Sequence, residues 1–336
     1  MSISCGVLGS GWVATDRHIP SIARSSAADV TVVYDHSIAN ARARAPRGAV
    51  ATDDLSTVFD HELDAVVICT PPWTHADLAI EALGRGCHVF CEKPMATSVA
   101  DANAMAAAAA AAGRILCVSH NFLWSNAMQS ARAALAESGS VRHLLAVQLS
   151  GDGRRLPAWS DQLDGGLLHD ELPHVLYVAS EMLGGSVEIE DVRTDWGTRT
   201  SEPRTCEILL SGSEASGSVT VVFGSPVSEW HVAVVTDRSV VDVDLFRDVT
   251  VATGSDGGHS ALEVLRTSLR TTVGHVAGFA ATGARRAMRR QYWGHDRLLE
   301  EFFGAVAAGG ESPVSIESAL AVVNLTSDVL EAIRRA

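Results

Sequence analysis

Between residues 3 and 118 the chain alternates short apolar runs with segments of helical character, and few folds accept that rhythm. The apolar runs are Ile3–Leu8, Val30–Tyr34, Ala65–Cys69, His88–Cys91 and Ile115–Val118, each short enough to be a strand buried on both faces. Helical segments lie between them near 17–26, 37–45, 74–85 and 98–112. Strands that alternate with helices form β-α-β units, so this part of the chain reads as α/β with a doubly wound parallel sheet. Ser98 with Asp101 gives the last of these helices a capping-box-like start, and Gly113 supplies its stop.

After about residue 121 the rhythm changes. One helix, about 167–183, precedes short β-rich runs at 187–193, 205–211, 216–224, 229–236, 239–245 and 248–253, and helix returns at about 261–291, 294–308 and 315–334. That pattern predicts an α+β domain whose sheet is mostly antiparallel and open-faced, with helices against one face. A chain of 336 residues exceeds one typical core, so two domains are expected, over 1–121 and 122–336, with the last helix able to pack back on the first.

Composition excludes several classes of function. The formal net charge of −14 repels phosphate backbones and argues against nucleic acid or an anionic membrane surface as partner. No apolar stretch is long enough to span a bilayer, since the alanine run at 106–112 ends at Gly113. Met1-Ser2-Ile3-Ser4-Cys5 carries no basic or apolar leader, so a cytoplasmic protein is expected. Cysteines 5, 69, 87, 91, 117 and 206 form no C-x-x-C pair and read as small buried hydrophobes in a reducing compartment; no metal site is expected.

Gly9-Ser10-Gly11-Trp12-Val13-Ala14 follows the first strand as a G-x-G-x-x-A pattern. Gly9 allows a tight turn, Gly11 lets backbone amides approach a pyrophosphate, and small Ala14 lets the next helix pack on the strand. Asp35 closes the second strand 24 residues after Gly11, where a carboxylate can accept from an adenosine ribose or simply shape the turn. Its charge repels a 2′-phosphate and favours NAD over NADP, whereas Arg42 and Arg44 nearby keep NADP open. In Cys69-Thr70-Pro71-Pro72-Trp73-Thr74-His75, the prolines stop a strand and shape a loop for the nicotinamide half. Thr74 is placed to cap the following helix, and His75 to touch a cofactor phosphate or hold the loop.

Glu92-Lys93-Pro94 closes the run His88–Cys91. A lysine there projects into the crevice where open α/β sheets bind ligands, and a partly desolvated lysine exchanges protons near neutral pH. The alternative is a surface lysine at a strand end. Asp170 and His174 fall at i and i+4 in the helix that begins near Gly165-Gly166, on one face. Histidine suits removal of a hydroxyl proton near neutral pH. His169 is a second imidazole able to take that role. The alternatives are a helix N-terminal charge for Asp170 and a core histidine for His174.

GSGWVA, Asp35, CTPPWTHADLAIEAL and GCHVFCEKPMATS stand in the order and spacing of the Gfo/Idh/MocA family, which the chain resembles densely over 1–124 and more loosely over 125–336, through GGLLHDELPH and the closing pattern GHDRLLEEFFGAV…SPVSIESALAVV. The resemblance implies an NAD(P)-binding Rossmann domain, a substrate-binding and oligomerisation domain, and hydride transfer at a secondary alcohol or ketone of a sugar or cyclitol. It implies that Lys93 is catalytic or positions substrate, that the bond before Pro94 is cis, and that Asp170 and His174 sit in the substrate pocket. Glycine stands in the family where this chain has Leu172, and Pro173 then demands a first-turn position or a kink. Lys93 is expected to polarise the reacting oxygen while His174 carries the proton.

Gly9, Gly11, Trp12, Val13, Asp35, Thr70, Pro71, His75, Glu92, Lys93 and Asn121 are thus the expected cofactor contacts, His120-Asn121-Phe122 lying beside the nicotinamide. Trp124 and Trp159 can stack on a sugar or fill a core, and Asp152, Arg154 and Arg155 can select the substrate. The basic stretch 284–290 reads as a subunit interface, with a surface-lying amphipathic helix or a phosphate-bearing substrate as the alternatives, and the open sheet face as a reason to form a homodimer or homotetramer. Two other functions stay open: a glycosidase that retains NAD and oxidises the sugar transiently, and a non-catalytic NAD-binding sensor.

Overall fold

The computed structural model describes residues 2–151, 153, 159–198, 202–258, 260–288 and 293–335. Two compact units divide it, the first from Met1–Asn121 and His295–Asn324, the second from Phe122–Gly294 and Leu325–Ala336.

The first unit holds a six-stranded sheet of β1 (Ile3–Leu8), β2 (Ala28–Tyr34), β3 (Val50–Thr52), β4 (Ala65–Ile68), β5 (His88–Cys91) and β6 (Leu116–Val118). Its order is β3-β2-β1-β4-β5-β6 with every pair parallel, which is the doubly wound Rossmann arrangement. Cys5, Val7, Leu8, Val66, Val67, Ile68, Val89 and Phe90 are wholly buried, as strands covered on both sides require. Helices α1 (Ile19–Ile22), α2 (Ile38–Arg44), α3 (Leu55–Phe59), α4 (His75–Gly84) and α5 (Val99–Ala112) connect them. The first helix starts earlier than the 17–26 expected, because a π-helical stretch, Ala14–His18, leads directly into α1. Ser98 caps α5 by accepting from Asp101 N at 3.1 Å, and Gly113 ends it at φ 59°. All six cysteines are free and buried.

Residues 295–324 belong to the first unit because α9 (His295–Ala308) has a strongly apolar side: Leu298, Leu299, Phe302 and Phe303 are buried. Phe302 stands edge-on to Phe90 of β5, ring centroids 5.5 Å apart.

The second unit is built on β7 (Val141–Gly151), β8 (Val187–Asp195), β9 (Thr205–Gly212), β10 (Ser216–Ser225), β11 (Glu229–Thr236), β12 (Ser239–Asp244) and β13 (Val249–Gly254). The order is β13-β12-β11-β7-β10-β9-β8, with one parallel pair, β7–β10, and the rest antiparallel. β7, which the sequence pattern hid, is the central strand. Helices α6 (Asn126–Ala136) and α7 (Gly166–Met182) pack against this sheet, and α10 (Ile316–Arg335) closes the chain. The long α8 (Ala261–Ala287) departs from the expected one-sided arrangement. Thr250 bonds the carbonyl of Ala127 in α6, so its neighbours Val249 and Val251 point to the opposite face, and there they meet Gly274 and Gly278 of α8. Any Cβ at Gly278 would come within 2.6 Å of Val249, so the close approach needs glycine.

Phe302→Ala empties a fully buried position against β5 and is expected to cost about 3–5 kcal/mol, read as a lower chemical-unfolding midpoint.

Candidate active site

β1, β4 and β5 are neighbours in the first sheet, so the loops at their carboxyl ends adjoin. After β1 the chain turns at Gly9 with φ 89°. A Cβ there would lie 2.9 Å from the carbonyl carbon and oxygen of Cys69 and from Thr70, so geometry and space both demand glycine. At Gly11 a Cβ would meet nothing within 4 Å. That open space stands at the start of the first helix, the place for a pyrophosphate on backbone amides, so the residues fit a dinucleotide. Trp12 is exposed, with the Arg17 guanidinium 4.7 Å from its ring centroid, and Val13 is half-buried.

Asp35 closes β2 and is buried. Its Oδ2 accepts from Ser10 N at 3.0 Å and Ser10 Oγ at 2.7 Å, and its Oδ1 accepts from Ser37 N at 3.0 Å. Burial pushes this carboxyl up, but those donors outweigh it and hold it below the usual range. Asp35 therefore shapes the fingerprint turn and is ionised at neutral pH. Arg42 and Arg44 are exposed in the last turn of α2.

Thr70 and Pro71 are half-buried in the loop after β4. Thr74 does not cap α4 as expected: its hydroxyl turns back to Pro71 O (2.8 Å) and Thr70 Oγ1 (2.7 Å). His75, expected as a cofactor contact or a loop holder, is wholly buried, with Nδ1 2.8 Å from Pro94 O and Nε2 2.9 Å from Thr70 O. Both ring nitrogens face main-chain carbonyls, so the imidazole ties the β4 loop to the Glu92-Lys93-Pro94 turn. Burial lowers its pKa.

Lys93–Pro94 is a cis peptide. Lys93 is half-buried and is the only lysine of the chain; every other member of its 26 Lys and Arg residues is arginine. Glu92, also expected as a cofactor contact, is buried, and its carboxylate serves the protein: Oε1 lies 2.6 Å from His18 Nε2, and Oε2 accepts from Lys93 N at 3.2 Å. His120 and Asn121 are buried beyond β6, and burial pushes the His120 imidazole down to about 3.

In the second unit α7 opens at Gly165 (φ 83°) and Gly166 (φ 57°). Asp170 lies past the first turn, which holds no acidic residue, so it is not an N-terminal helix charge. Asp170 is buried and His174 half-buried. His174 Nδ1 is 2.8 Å from Tyr177 Oη, which also accepts from Phe122 N at 3.3 Å. Its ring stands edge-on to Phe122 at 5.2 Å and lies 6.2 Å from Trp230. The Tyr177 hydroxyl and this aromatic frame fix the orientation of the ring. Tyr177 and Trp230 were not anticipated; the only signal was His174-x-x-Tyr177, i and i+3 on a helix. Pro173 sits inside α7, not in its first turn, and denies the His169 carbonyl its helical bond. His169 gives Nδ1–H to Asp164 O at 2.9 Å. Trp124 is buried beside Arg132, as a core aromatic would be, whereas Asp152, Arg154 and Arg155 lie outside the described residues. Glu229, His231 and Asp244 converge on β11 and β12, where Arg247 already answers both carboxylates at 2.5 and 2.6 Å.

The first unit has the strand order, glycine turn and strand-end carboxylate of a dinucleotide-binding fold. The model of the Gfo/Idh/MocA oxidoreductases, described as having an NAD-binding Rossmann fold, matches residues 3–120 of the chain. It is 29% identical over 188 residues to the oxidoreductase YdgJ of Escherichia coli (strain K12), covering 54% of each chain. It is 28% identical over 199 residues to scyllo-inositol 2-dehydrogenase (NADP(+)) IolU of Bacillus subtilis (strain 168), covering 56% of this chain and 60% of that one. The chain thus spans little more than half the length of these curated relatives. A solved structure of the WlbA dehydrogenase from Bordetella pertussis, in complex with NADH and UDP-GlcNAcA, shares the fold with a TM-score of 0.79 at 21% identity, covering 99% of this chain and 96% of that one.

Since the folded chain keeps His120 neutral down to about pH 3, whereas the unfolded chain titrates near 6.5, this contribution to stability is full above pH 6.5 and falls as pH drops toward 3. His75 acts in the same direction. The melting temperature is expected to fall from pH 7 to pH 5, and His120→Asn should flatten that slope; an unchanged slope contradicts the assignment.

Proposed function

We propose that the protein is an NAD-dependent dehydrogenase or ketoreductase acting on a secondary alcohol or ketone of a sugar-like polyol. The observation that carries this reading is the chain's single lysine, held at the carboxyl end of β5 beside the loops of β1 and β4. A surface cation would be met by arginine, as everywhere else in the chain; an ammonium is a compact donor that can meet a reacting oxygen.

When bound, the nicotinamide accepts or delivers the hydride. Lys93 hydrogen-bonds the oxygen on the reacting carbon and stabilises negative charge as it develops there. His174, its ring fixed through Nδ1 by Tyr177, takes the hydroxyl proton at Nε2, or returns one to a ketone. Asp170, one turn before it on α7, raises its basicity or takes a second hydroxyl. Sugars and cyclitols as substrates are supported by the names of the relatives. NAD over NADP is supported by the ionised Asp35, whose charge repels a 2′-phosphate.

A cytoplasmic location is supported by six free, buried cysteines, and among the described residues no helix is long and apolar enough to cross a membrane. A homodimer or homotetramer is supported by Leu145, Val147 and Leu209, exposed on the sheet face away from α6 and α7, and by the exposed Leu262, Leu265, Leu269, Val273 and Val276 of α8. Light scattering is expected to give a mass of two or four chains; a monomer at micromolar concentration sinks that part.

The activity is tested by absorbance at 340 nm with NAD or NADH over a panel of sugars, keto-sugars and cyclitols. His174→Ala should lower kcat by about 10²–10⁴-fold and Lys93→Ala by about 10²–10³-fold, while NADH still binds. Asp35→Ser should shift the ratio of NADPH to NADH affinity toward NADPH. Full turnover by Lys93→Ala would overturn the reading.

A further inference from the structure

We propose that His18 is a positioning residue for the Glu92-Lys93 turn: its single buried hydrogen bond holds the Glu92 carboxylate, and the carboxylate fixes both the peptide nitrogen and the charge environment of Lys93. The proposal rests on the reading above, in which Lys93 meets the substrate.

His18 is wholly buried and ends the π-helical stretch Ala14–His18, a local departure from α-helix that recurs at functional sites. Its Nε2 lies 2.6 Å from Glu92 Oε1, and because an ionised carboxylate only accepts, Nε2 carries the proton. Its Nδ1 has no hydrogen-bond partner among the described residues. The ring is otherwise held by packing, 5.5 Å from Phe90 and 5.5 Å from His295. A position that needed only volume beside Phe90 would be filled by leucine, without a buried nitrogen left unmet. The imidazole is therefore there for Glu92.

Glu92 has nothing to offer solvent, being buried, and its second oxygen accepts from Lys93 N at 3.2 Å. Burial pushes its carboxyl up; the His18 bond and the neighbouring His18, His295 and Lys93 outweigh this and bring it down to about 2. His75, Cys69 and Cys91 also face it; among the hydrogen bonds described, Cys91 Sγ donates to the Glu92 main-chain carbonyl at 3.4 Å and none of the three donates to the carboxylate. Without His18, Oε1 loses its donor and burial pushes the Glu92 carboxyl up, so the carboxylate is no longer held in place beside Lys93.

A single lysine makes the test clean. Reductive methylation with formaldehyde and cyanoborohydride, followed by peptide mass spectrometry, reports Lys93 against the N-terminal amine as internal control. In His18→Leu the pH of half-maximal Lys93 labelling is expected to move down by half a unit or more, with His18→Gln, which keeps a donor, closer to the natural protein. In a Glu92→Gln background, His18→Leu should add no further shift. With an active substrate, His18→Leu should also lower kcat tenfold or more, move the acid limb of its pH profile upward, and change KM for NAD less than threefold. Equal labelling profiles in all variants, or shifts that add in the double variant, overturn the proposal. Should His18→Leu fail to fold, His18→Gln and Glu92→Gln still decide it. Should no substrate be found, the labelling result stands apart from the activity assay.

Discussion

No side chain fits between the turn after β1 and the backbone after β4, and the cofactor half of the molecule follows from that crowding. Gly9, at φ 89°, lets the two loops touch main chain to main chain. The turn can then leave open space at Gly11, and Ser10 can swing both its amide and its hydroxyl onto Asp35. The β4 loop, pressed from one side by this turn, is tied on the other through His75 to Pro94. Three loops at adjacent strand ends are thereby fixed by two small contacts and one buried imidazole.

Two buried carboxylates share this unit and are treated alike by it. Asp35 and Glu92 would each favour the neutral acid on burial alone, and each is kept ionised by donors that the fold delivers to it. Asp35 draws on Ser37, two residues on, and on Ser10, which the pairing of β1 with β2 brings beside it. Glu92 draws on an imidazole 74 residues away in sequence. Fixed charge in a dry site costs nothing further to reorganise when a substrate oxygen becomes negative, which is the physical advantage of building it into the scaffold. The second unit uses different means: His174 is oriented by a tyrosine hydroxyl at Nδ1 and an aromatic frame.

Much of this was legible in the sequence, and the gaps have physical causes. The strands of the first unit showed because burial on both faces makes them continuous apolar runs, and the glycine turn showed because only glycine serves there. β7 did not show: only alternate residues face the core, and two of those, Gln148 and Ser150, are buried but polar. β3, three residues long, is too short to carry a period. α6 was likewise unforeseen, though Ser125 caps it by accepting from Met128 N. Of the proposed site, Lys93, Asp35 and the Asp170–His174 pair are the candidates that motif and spacing supply. The true work of Glu92 and His75 could not, since their partners are distant in sequence, and neither could Tyr177 or His18.

The central claim is direct hydride transfer between substrate carbon and nicotinamide. It is tested most directly by incubating the protein with NAD and a panel of carbon-deuterated cyclitols and sugars, then weighing the nicotinamide ring by mass spectrometry. The account predicts deuterium at C4 of NADH, with one cyclitol or sugar giving transfer and Lys93→Ala giving little. Turnover of any of these compounds without deuterium in NADH, or with the label returned to the sugar, would contradict it.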